Sequence, residues 1–465
     1  MGIYQKANNN YFLVLVAAFM LSLSSGSFAQ EVVQQPLTLE ESIRNAFASN
    51  PDVTVAQERI EQARAAVKQA QAGFYPKLSI SENFARTDYA PMVFTYQLAQ
   101  GNLSGESPAA PPPGFDPFAS FNDPDPLSNW NTQLLLRWPL FQGGRTVYST
   151  RAAVDQVEAS EAQLISVYNE LAYAVSAAFY SILQAEQSIQ IAEESARQIR
   201  QQLDVATARF ENEVALKSDV LRVAVRLAEA ENQLVIARHN LERAKSQLNL
   251  AMGRNVNTPV VLAPLEAPPP AETLPLEVLM ERAKETRPDI TAAEHNVLAL
   301  EQLIGAAKAD YYPQVNAFAH YDVDTEDFSD TSDSWMVGVG VSLSLFDGFL
   351  TRSNVQQRRA QLREAQAQRD KLVLHVENDV KSAYLARSEA LLRLDVLQEI
   401  IAEAEENLRI VSERYSEGMA LVTDLLDAEV ALTNARLQRL AAQYQYRIAA
   451  AALERAIGGF AAGGI

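Results

Sequence analysis

The chain contains no cysteine, which excludes disulfide bonds, cysteine-based metal sites, thiol chemistry and lipidation of an N-terminal cysteine. Positive charge is also scarce, with 39 Lys and Arg against 58 Asp and Glu in 465 residues. This balance disfavours a nucleic-acid partner, because contact with phosphate requires the opposite sign of charge.

Long apolar runs are missing from all but the start of the chain, since no later stretch has 18 consecutive apolar residues. At the start, Lys6 precedes an apolar run at 11–23 and the small residues Ser27 and Ala29. This pattern predicts a signal peptide at 1–29, with an uncleaved membrane anchor as the alternative. The rest of the chain is not expected to cross a membrane as helices, whereas barrel strands would leave only a weak hydropathy signal.

Chemically reactive constellations are absent from the sequence as well. The histidines, His239, His295, His320 and His375, lie far apart without metal-ligand spacing. No Gly-Lys-Ser/Thr phosphate loop and no Ser/His/Asp arrangement occurs. A hydrolase is therefore disfavoured, and we expect no enzyme activity, no catalytic residue, no metal and no cofactor.

What the sequence does contain is an internal repeat. Pro51 and Pro288 lie in matching NPDV and RPDI motifs 237 residues apart. Asp219 and Asp424 lie in the matching segments RFENEVALKSDVL and RYSEGMALVTDLL, 205 residues apart. Because the offset falls by 32, the first half holds that many additional residues, in a Pro-rich stretch within 78–130 that is typical of a loop.

Each half predicts a first helix, two short strands, a very long helix and a second long helix. We predict the helices at 39–72, 145–210 and 218–252, and again at 276–309, 352–415 and 423–457. The predicted units are a signal peptide (1–29), a first repeat (30–257), a Pro-rich linker (258–274), a second repeat (275–457) and a flexible tail (458–465).

The long helices carry a heptad pattern that indicates coiled-coil packing. At about 1.5 Å per residue, each of the longest would be a rod of about 100 Å. The seam residues are Ile189, Ala192, Ala196, Ile199, Leu203, Ala206 and Phe210, and, 205 residues later, Leu394, Leu397, Ile401, Ala404, Leu408, Val411 and Tyr415.

The strand segments alternate apolar and polar residues over a length that allows a tilted strand to cross a membrane. All three tryptophans, Trp130, Trp138 and Trp335, lie in these segments, as an aromatic belt at the lipid interface requires. The alternative is a soluble sandwich, although four strands make a poor one. Four strands cannot close a barrel alone, so several chains are expected to share one.

These repeated halves, together with LFDG at 345–348 and RYSEGMALVTDLLDA at 414–428, resemble the TolC-type outer-membrane efflux proteins, or outer membrane factors. The resemblance implies a mainly α fold with membrane β. In that fold a trimeric α-barrel in the periplasm joins a shared 12-stranded transmembrane β-barrel, to which each chain gives four strands. It places the protein in the outer membrane of a Gram-negative bacterium.

The function implied by the resemblance is that of the exit duct of a tripartite efflux or type I secretion system. Substrate would pass passively from a periplasmic adaptor (membrane fusion protein) and an inner-membrane ABC, RND or MFS pump to the exterior. The implied partners are two further copies in a homotrimer, the adaptor, the pump and outer-membrane lipid. The alternative is a periplasmic coiled-coil adaptor or scaffold, which would lack the duplicated strands and their tryptophans.

The resemblance also implies a functional site at the two helix turns farthest from the strands. The implied adaptor-docking residues are Arg209, Phe210, Arg414, Tyr415 and Gly418. The implied residues of the periplasmic aperture are Asp219, Tyr415, Gly418, Asp424 and Asp427.

Asp424 and Asp427 share one helix face through their i, i+3 spacing, and three chains would bring six carboxylates together. Such crowding attracts cations and raises carboxyl pKa values. A structural role is compatible with this one, with Ser218 and Thr423 as N-caps and the aspartates in the first helical turn. Where family members can carry a locking arginine this chain has Ala420, and Lys217 or Arg414 are the candidate substitutes.

Overall fold

The structure is a computed structural model that describes residues 36–102, 123–264 and 274–462. The predicted signal peptide, most of the Pro-rich insertion, part of the linker and the end of the tail lie outside these residues. Within them, no helix combines the length and the apolar character needed to cross a membrane.

Both halves contain the predicted order of elements. The first half comprises α1 (Leu39–Ser49), α2 (Pro51–Gln71), β1 (Lys77–Thr87), α3 (Ala90–Ala99), β2 (Leu127–Gln142), α4 (Arg145–Glu211) and α5 (Lys217–Ala251). The second comprises α6 (Leu276–Thr286), α7 (Pro288–Lys308), β3 (Gln314–Thr325), β4 (Ser332–Ser342), α8 (Leu350–Ser416) and α9 (Val422–Ala456), followed by the short α10 (Gly459–Ala462) within the predicted tail.

Two features differ from the prediction. The first helix of each half is broken, because Asn50 and Arg287 precede prolines and leave the helical conformation with ψ of 129° and 121°. The Asn50 side chain then caps α2 by accepting a hydrogen bond from the N–H of Asp52 at 2.8 Å. The Pro-rich insertion was predicted as loop but also contains α3, which has a proline in its first turn.

Two hydrophobic cores reproduce the sequence repeat in three dimensions. One joins α1, α2, α4 and α5, and the other joins α6, α7, α8 and α9. Equivalent members are Ala46, Val53, Leu171, Val175 and Leu248 in the first core and Ala283, Ile290, Val376, Val380 and Leu453 in the second.

The helices pack side by side in the same order as the strands. Near the sheet the order is α2, α4, α7, α8, and at the far end it is α5, α4, α9, α8. The antiparallel sheet has the order β1-β2-β3-β4, and each strand is continuous along the chain with one helix of the near order. One side of the molecule is therefore edged by β1, α2 and α5, and the other by β4 and α8.

The sheet has two chemically different faces, as the alternation predicted. Leu78, Leu136, Ala319 and Val337 are neighbours in register across the four strands and form part of an apolar face. The opposite face is polar and contains an extended set of side-chain hydrogen bonds between β2 and β3. A bulge between Pro139 and Phe141 accommodates the proline within a central strand.

Replacing Gly253 with alanine should destabilise the protein more than replacing Gly348. Both residues have positive φ, which costs alanine about 1 kcal/mol. At Gly253 a Cβ would also lie 2.7 Å from backbone atoms of Ser49 and Asn50, whereas at Gly348 it would meet nothing within 4 Å. We expect Gly253→Ala to lower the free energy of unfolding by about 2 kcal/mol more than Gly348→Ala does. The melting temperatures of the two variants measure this difference. Equal losses would contradict the close approach.

Candidate functional site

The two turns at the far end of the long helices use the same C-terminal cap. In the first turn, the N–H of Val214 donates to the carbonyl of Arg209 at 2.9 Å, and the N–H of Glu213 donates to that of Phe210 at 3.0 Å. These are the two hydrogen bonds of a Schellman motif, and the second turn repeats both. Gly418 has φ of 77° and Glu213, at the equivalent position, has φ of 58°. The turn therefore requires a left-handed residue, which glycine adopts without strain.

The predicted N-caps Ser218 and Thr423 are wrong. The N-caps are Leu216 and Leu421, since α5 already begins at Lys217 and α9 at Val422. Asp424 lies in the first turn of α9, as predicted, and its Oδ2 accepts a hydrogen bond from the N–H of Leu421 at 3.3 Å. This position is favourable for a carboxylate at a helix N-terminus.

Arg209 joins the two turns to each other. Its Nη1 donates to the carbonyl of Tyr415 at 3.2 Å and its Nη2 to the carbonyl of Ser416 at 3.0 Å. Its guanidinium also lies 4.6 Å from the centre of the Tyr415 ring. The link thus uses the C-terminal carbonyls of α8, where a cation is favoured, and it involves neither Lys217 nor Arg414.

The predicted aperture carboxylates have different surroundings. Asp427 remains 75% exposed, and its Oδ1 lies 3.7 Å from Nη2 of Arg226 on α5. Asp424 is also exposed, whereas Asp219 is half-buried on α5. Within the described residues Asp219 makes no hydrogen bond to Tyr415. The structure therefore brings Arg209 and Tyr415 together and leaves Asp424 and Asp427 facing solvent within one chain.

A buried carboxyl group near the predicted aperture was not foreseen from the sequence. Glu429, on α9, is 6% exposed, and its Oε1 lies 3.4 Å from Nε2 of Gln202 on α4. Its other oxygen has no hydrogen-bond partner within the described residues. Burial raises the pKa of Glu429 to about 7, against the smaller lowering effect of Gln202. In the sequence Glu429 resembles its acidic neighbours, and only the packing distinguishes it.

The tip of each turn exposes apolar side chains. Val214 and Leu216 protrude from the first turn, and Met419 and Leu421 occupy the equivalent positions of the second. The predicted docking residue Phe210 is also exposed. Exposed apolar groups that recur at one end of a molecule are typical of a contact surface.

The apolar face of the sheet forms a band of limited height. It extends from Val315 to Tyr321 on β3, a rise of about 20 Å at ~3.3 Å per residue. The next row outward carries Glu82 and Asp333, which are charged. This height is close to the ~25 Å apolar band of outer-membrane barrels.

The tryptophans predicted as a belt lie at different heights on this face. Trp335 is opposite Tyr321 in the last apolar row, and Trp138 is near the helices, where its Nε1 donates to the carbonyl of Phe74 at 3.0 Å. Trp130 lies farther out, between two phenylalanine rings with centroids 4.6 and 5.1 Å away. Trp138 and Trp335 are therefore near the two borders of the band, and the assignment of Trp130 to it stays a prediction.

Sequence reasoning missed the aromatic residues at the border next to the helices. Phe74, Tyr75, Tyr311 and Tyr312 are exposed immediately before β1 and β3. The signal was available in the repeated motifs FYP and YYP, each directly before a strand. Such residues are favoured where lipid headgroups meet the hydrocarbon region.

These elements define an outer-membrane channel fold, and comparison with known proteins agrees. The outer-membrane channel CmeC of Campylobacter jejuni superposes with a TM-score of 0.76 at 17% identity, covering 90% of this chain and 85% of that one. Protein CyaE of Bordetella pertussis is 28% identical over 91% of this chain and 84% of its own length. The alkaline protease secretion protein AprF of Pseudomonas aeruginosa is 24% identical over 94% and 86%.

The sequence model of the outer membrane efflux protein family matches residues 42–254 and 279–459. The chain belongs to this family, and the predicted resemblance is confirmed. The same evidence supports an outer-membrane channel and gives no support to the alternative of a periplasmic adaptor.

Proposed function

We propose that the protein is the exit duct of a tripartite efflux or type I secretion system. Substrate passes through it passively, from a periplasmic adaptor and an inner-membrane pump to the exterior, and the duct itself catalyses no reaction. The observation that carries this proposal is that the strands and the helices follow the same order across the molecule. At both edges of this order, the outer strand has no strand partner within the described residues. The relative AprF, named for secretion of a protease, supports export of this kind.

The open edges favour a closed ring of identical chains. The outer edges of β1 and β4 have no strand partner within the described residues, and an unpaired edge is not tolerated in lipid. The helical edges also expose apolar side chains, among them Val225 on α5 and Leu392 on α8. In a homotrimer, β4 and α8 of one copy pack beside β1 and α5 of the next. Three copies then complete a 12-stranded barrel and a helical tube.

The mass and the conductance of the detergent-extracted protein test this proposal. We expect a particle of three chains that forms ion channels in planar lipid bilayers. A monomer that never conducts would contradict the duct, and a protein released from membranes by carbonate washing would favour the adaptor.

The far turns serve as the aperture and as the docking surface for the adaptor. Arg209 ties the turns together, and Asp424 and Asp427 of three copies line the narrow passage. The apolar tips, including Val214 and Met419, contact the adaptor, with Phe210 and Arg414 beside them. The exposed position of the two aspartates and of the apolar tips supports both roles.

Replacing Asp424 and Asp427 together with asparagine should weaken the preference of the channel for cations. Six carboxylates would be lost from the narrowest part of the trimer, and rings of carboxylates favour cations in pores. The measurement is the reversal potential across a bilayer with a salt gradient. The matched control replaces Asp370 and Asp395, two exposed carboxylates of α8 far from the turn, with asparagine. Unchanged selectivity in the first variant would exclude the aspartates from the passage.

A further inference from the structure

Helix α3 lies against the polar face of the sheet, at the end away from the other helices. Gln100, directly after α3, donates from Nε2 to the carbonyl of Ser128 and to Oδ1 of Asn129, both at 2.8 Å. Gln100 is 7% exposed and Asn129 is 4% exposed. The end of α3 is therefore anchored in a buried polar contact with β2.

The residues around Gln100 show on which face of the sheet α3 packs. Nδ2 of Asn129 donates to Oδ1 of Asp324 at 2.7 Å, and Nδ2 of Asn131 donates to the same oxygen at 3.1 Å. Asn129 and Asn131 alternate along β2 with Trp130, which lies on the apolar face. Since alternate residues of a strand point to opposite faces, α3 is on the side away from the apolar band.

Helix α3 lies across the end of the sheet that is away from the other helices. The helix contacts β2 and β4, which flank β3, so it crosses over the end of β3. Val93 is 2% exposed, whereas Leu98 is 53% exposed and Met92 is exposed as well. An uncharged helix thus buries one side against polar strands and presents apolar side chains away from them.

We propose that α3 lies inside the mouth of the duct and sets the size of what can leave it. The inference rests on the proposed ring, in which the apolar face contacts lipid and the polar face lines the passage. Three copies of α3 then narrow the outer end of the barrel, with Leu98 and Met92 directed into the passage. The exit has its own constriction, separate from the aperture at the far turns.

Single cysteines in this cysteine-free chain test the proposal. Leu98→Cys should react with a charged, membrane-impermeant thiol reagent added from the outer side. Its modification should lower single-channel conductance about two-fold, since added bulk at a constriction impedes conduction. The recordings use an Arg209→Ala background, so that the far aperture does not limit the current.

Two matched positions on β1 serve as controls. Ile80→Cys, on the apolar face, should not react, and Ser81→Cys, exposed on the polar face below α3, should react with a smaller effect on conductance. A Leu98→Cys variant that is protected, or that reacts without any change in current, would overturn the constriction. A protein that never conducts in any form would instead refute the duct itself.

Discussion

Replacing Arg209 with alanine should raise the open probability of the channel about 30-fold, which corresponds to a loss of about 2 kcal/mol from the closed arrangement. The side chain donates to two carbonyls at the end of α8 and lies over the ring of Tyr415. A hydrogen bond from a charged group contributes about 1.5–3 kcal/mol, and we reduce the total because the site is partly exposed to solvent.

Planar-bilayer recordings of the purified protein measure this effect. Arg209→Lys keeps the charge but not the two-pronged geometry, so its open probability should fall between those of wild type and Arg209→Ala. The matched control is Arg238→Ala, which removes an exposed ion pair between α5 and Glu193 on α4, remote from the turns. If the Arg209→Ala and Arg238→Ala channels have the same open probability, the link between the turns does not hold the aperture closed.

The long helices could be predicted from the sequence because their signal is local and occurs twice. The predicted bounds of α4 and α9 agree with the structure within one residue. From 391 to 416, the seven predicted seam residues are the only ones that are buried or half-buried. A heptad pattern determines which side of a helix packs against a neighbouring helix, independently of the rest of the fold.

The contacts that define the candidate site could not be predicted in the same way. Arg209 and Tyr415 belong to different halves, and Asp427 meets Arg226 on a helix about 200 residues earlier. Such pairs depend on how α4, α5, α8 and α9 pack side by side, which periodicity within one helix does not specify. The sequence therefore predicted both turns but not the contact of Arg209 with the end of α8, and a locking role for Lys217 or Arg414 stays a prediction.

The helix α3 was missed for a different reason. Its surroundings are rich in proline and glycine, which predict a loop, and its ten residues are uncharged. A helix that packs one side on a polar strand face shows no clear apolar periodicity. Its anchor, Gln100, also contacts residues 28 and 29 positions away, beyond the reach of local patterns.

Replacing Glu429 with glutamine should stabilise the protein at pH 8 and leave its stability at pH 5 nearly unchanged. In the folded chain the pKa of Glu429 is raised from 4.5 to about 7, because burial disfavours the charged carboxylate. Between these two values the folded state binds the proton more tightly than the unfolded state does. The stability of the wild type therefore falls as pH rises from about 4.5 to about 7, and it stays reduced above pH 7.

The expected gain for Glu429→Gln at pH 8 is about 3 kcal/mol per chain, from ~1.4 kcal/mol per unit of pKa shift. The melting temperature of the purified protein at pH 5 and pH 8 measures it. Glu403→Gln, an exposed glutamate of α8, is the matched control and should show no such pH-dependent gain. A gain of equal size at both pH values would mean that packing, and not ionisation, is responsible.

The position of Glu429 connects this titration to the aperture. Its carboxyl group lies where α9 packs against α4, close to Gln202, so ionisation favours separation of these two helices beside the proposed aperture. Wild-type channels should therefore open more often as pH rises through about 7, and Glu429→Gln channels should lose that dependence. The Arg209 link is a separate contact at the turns, so the two effects should add when both residues are replaced.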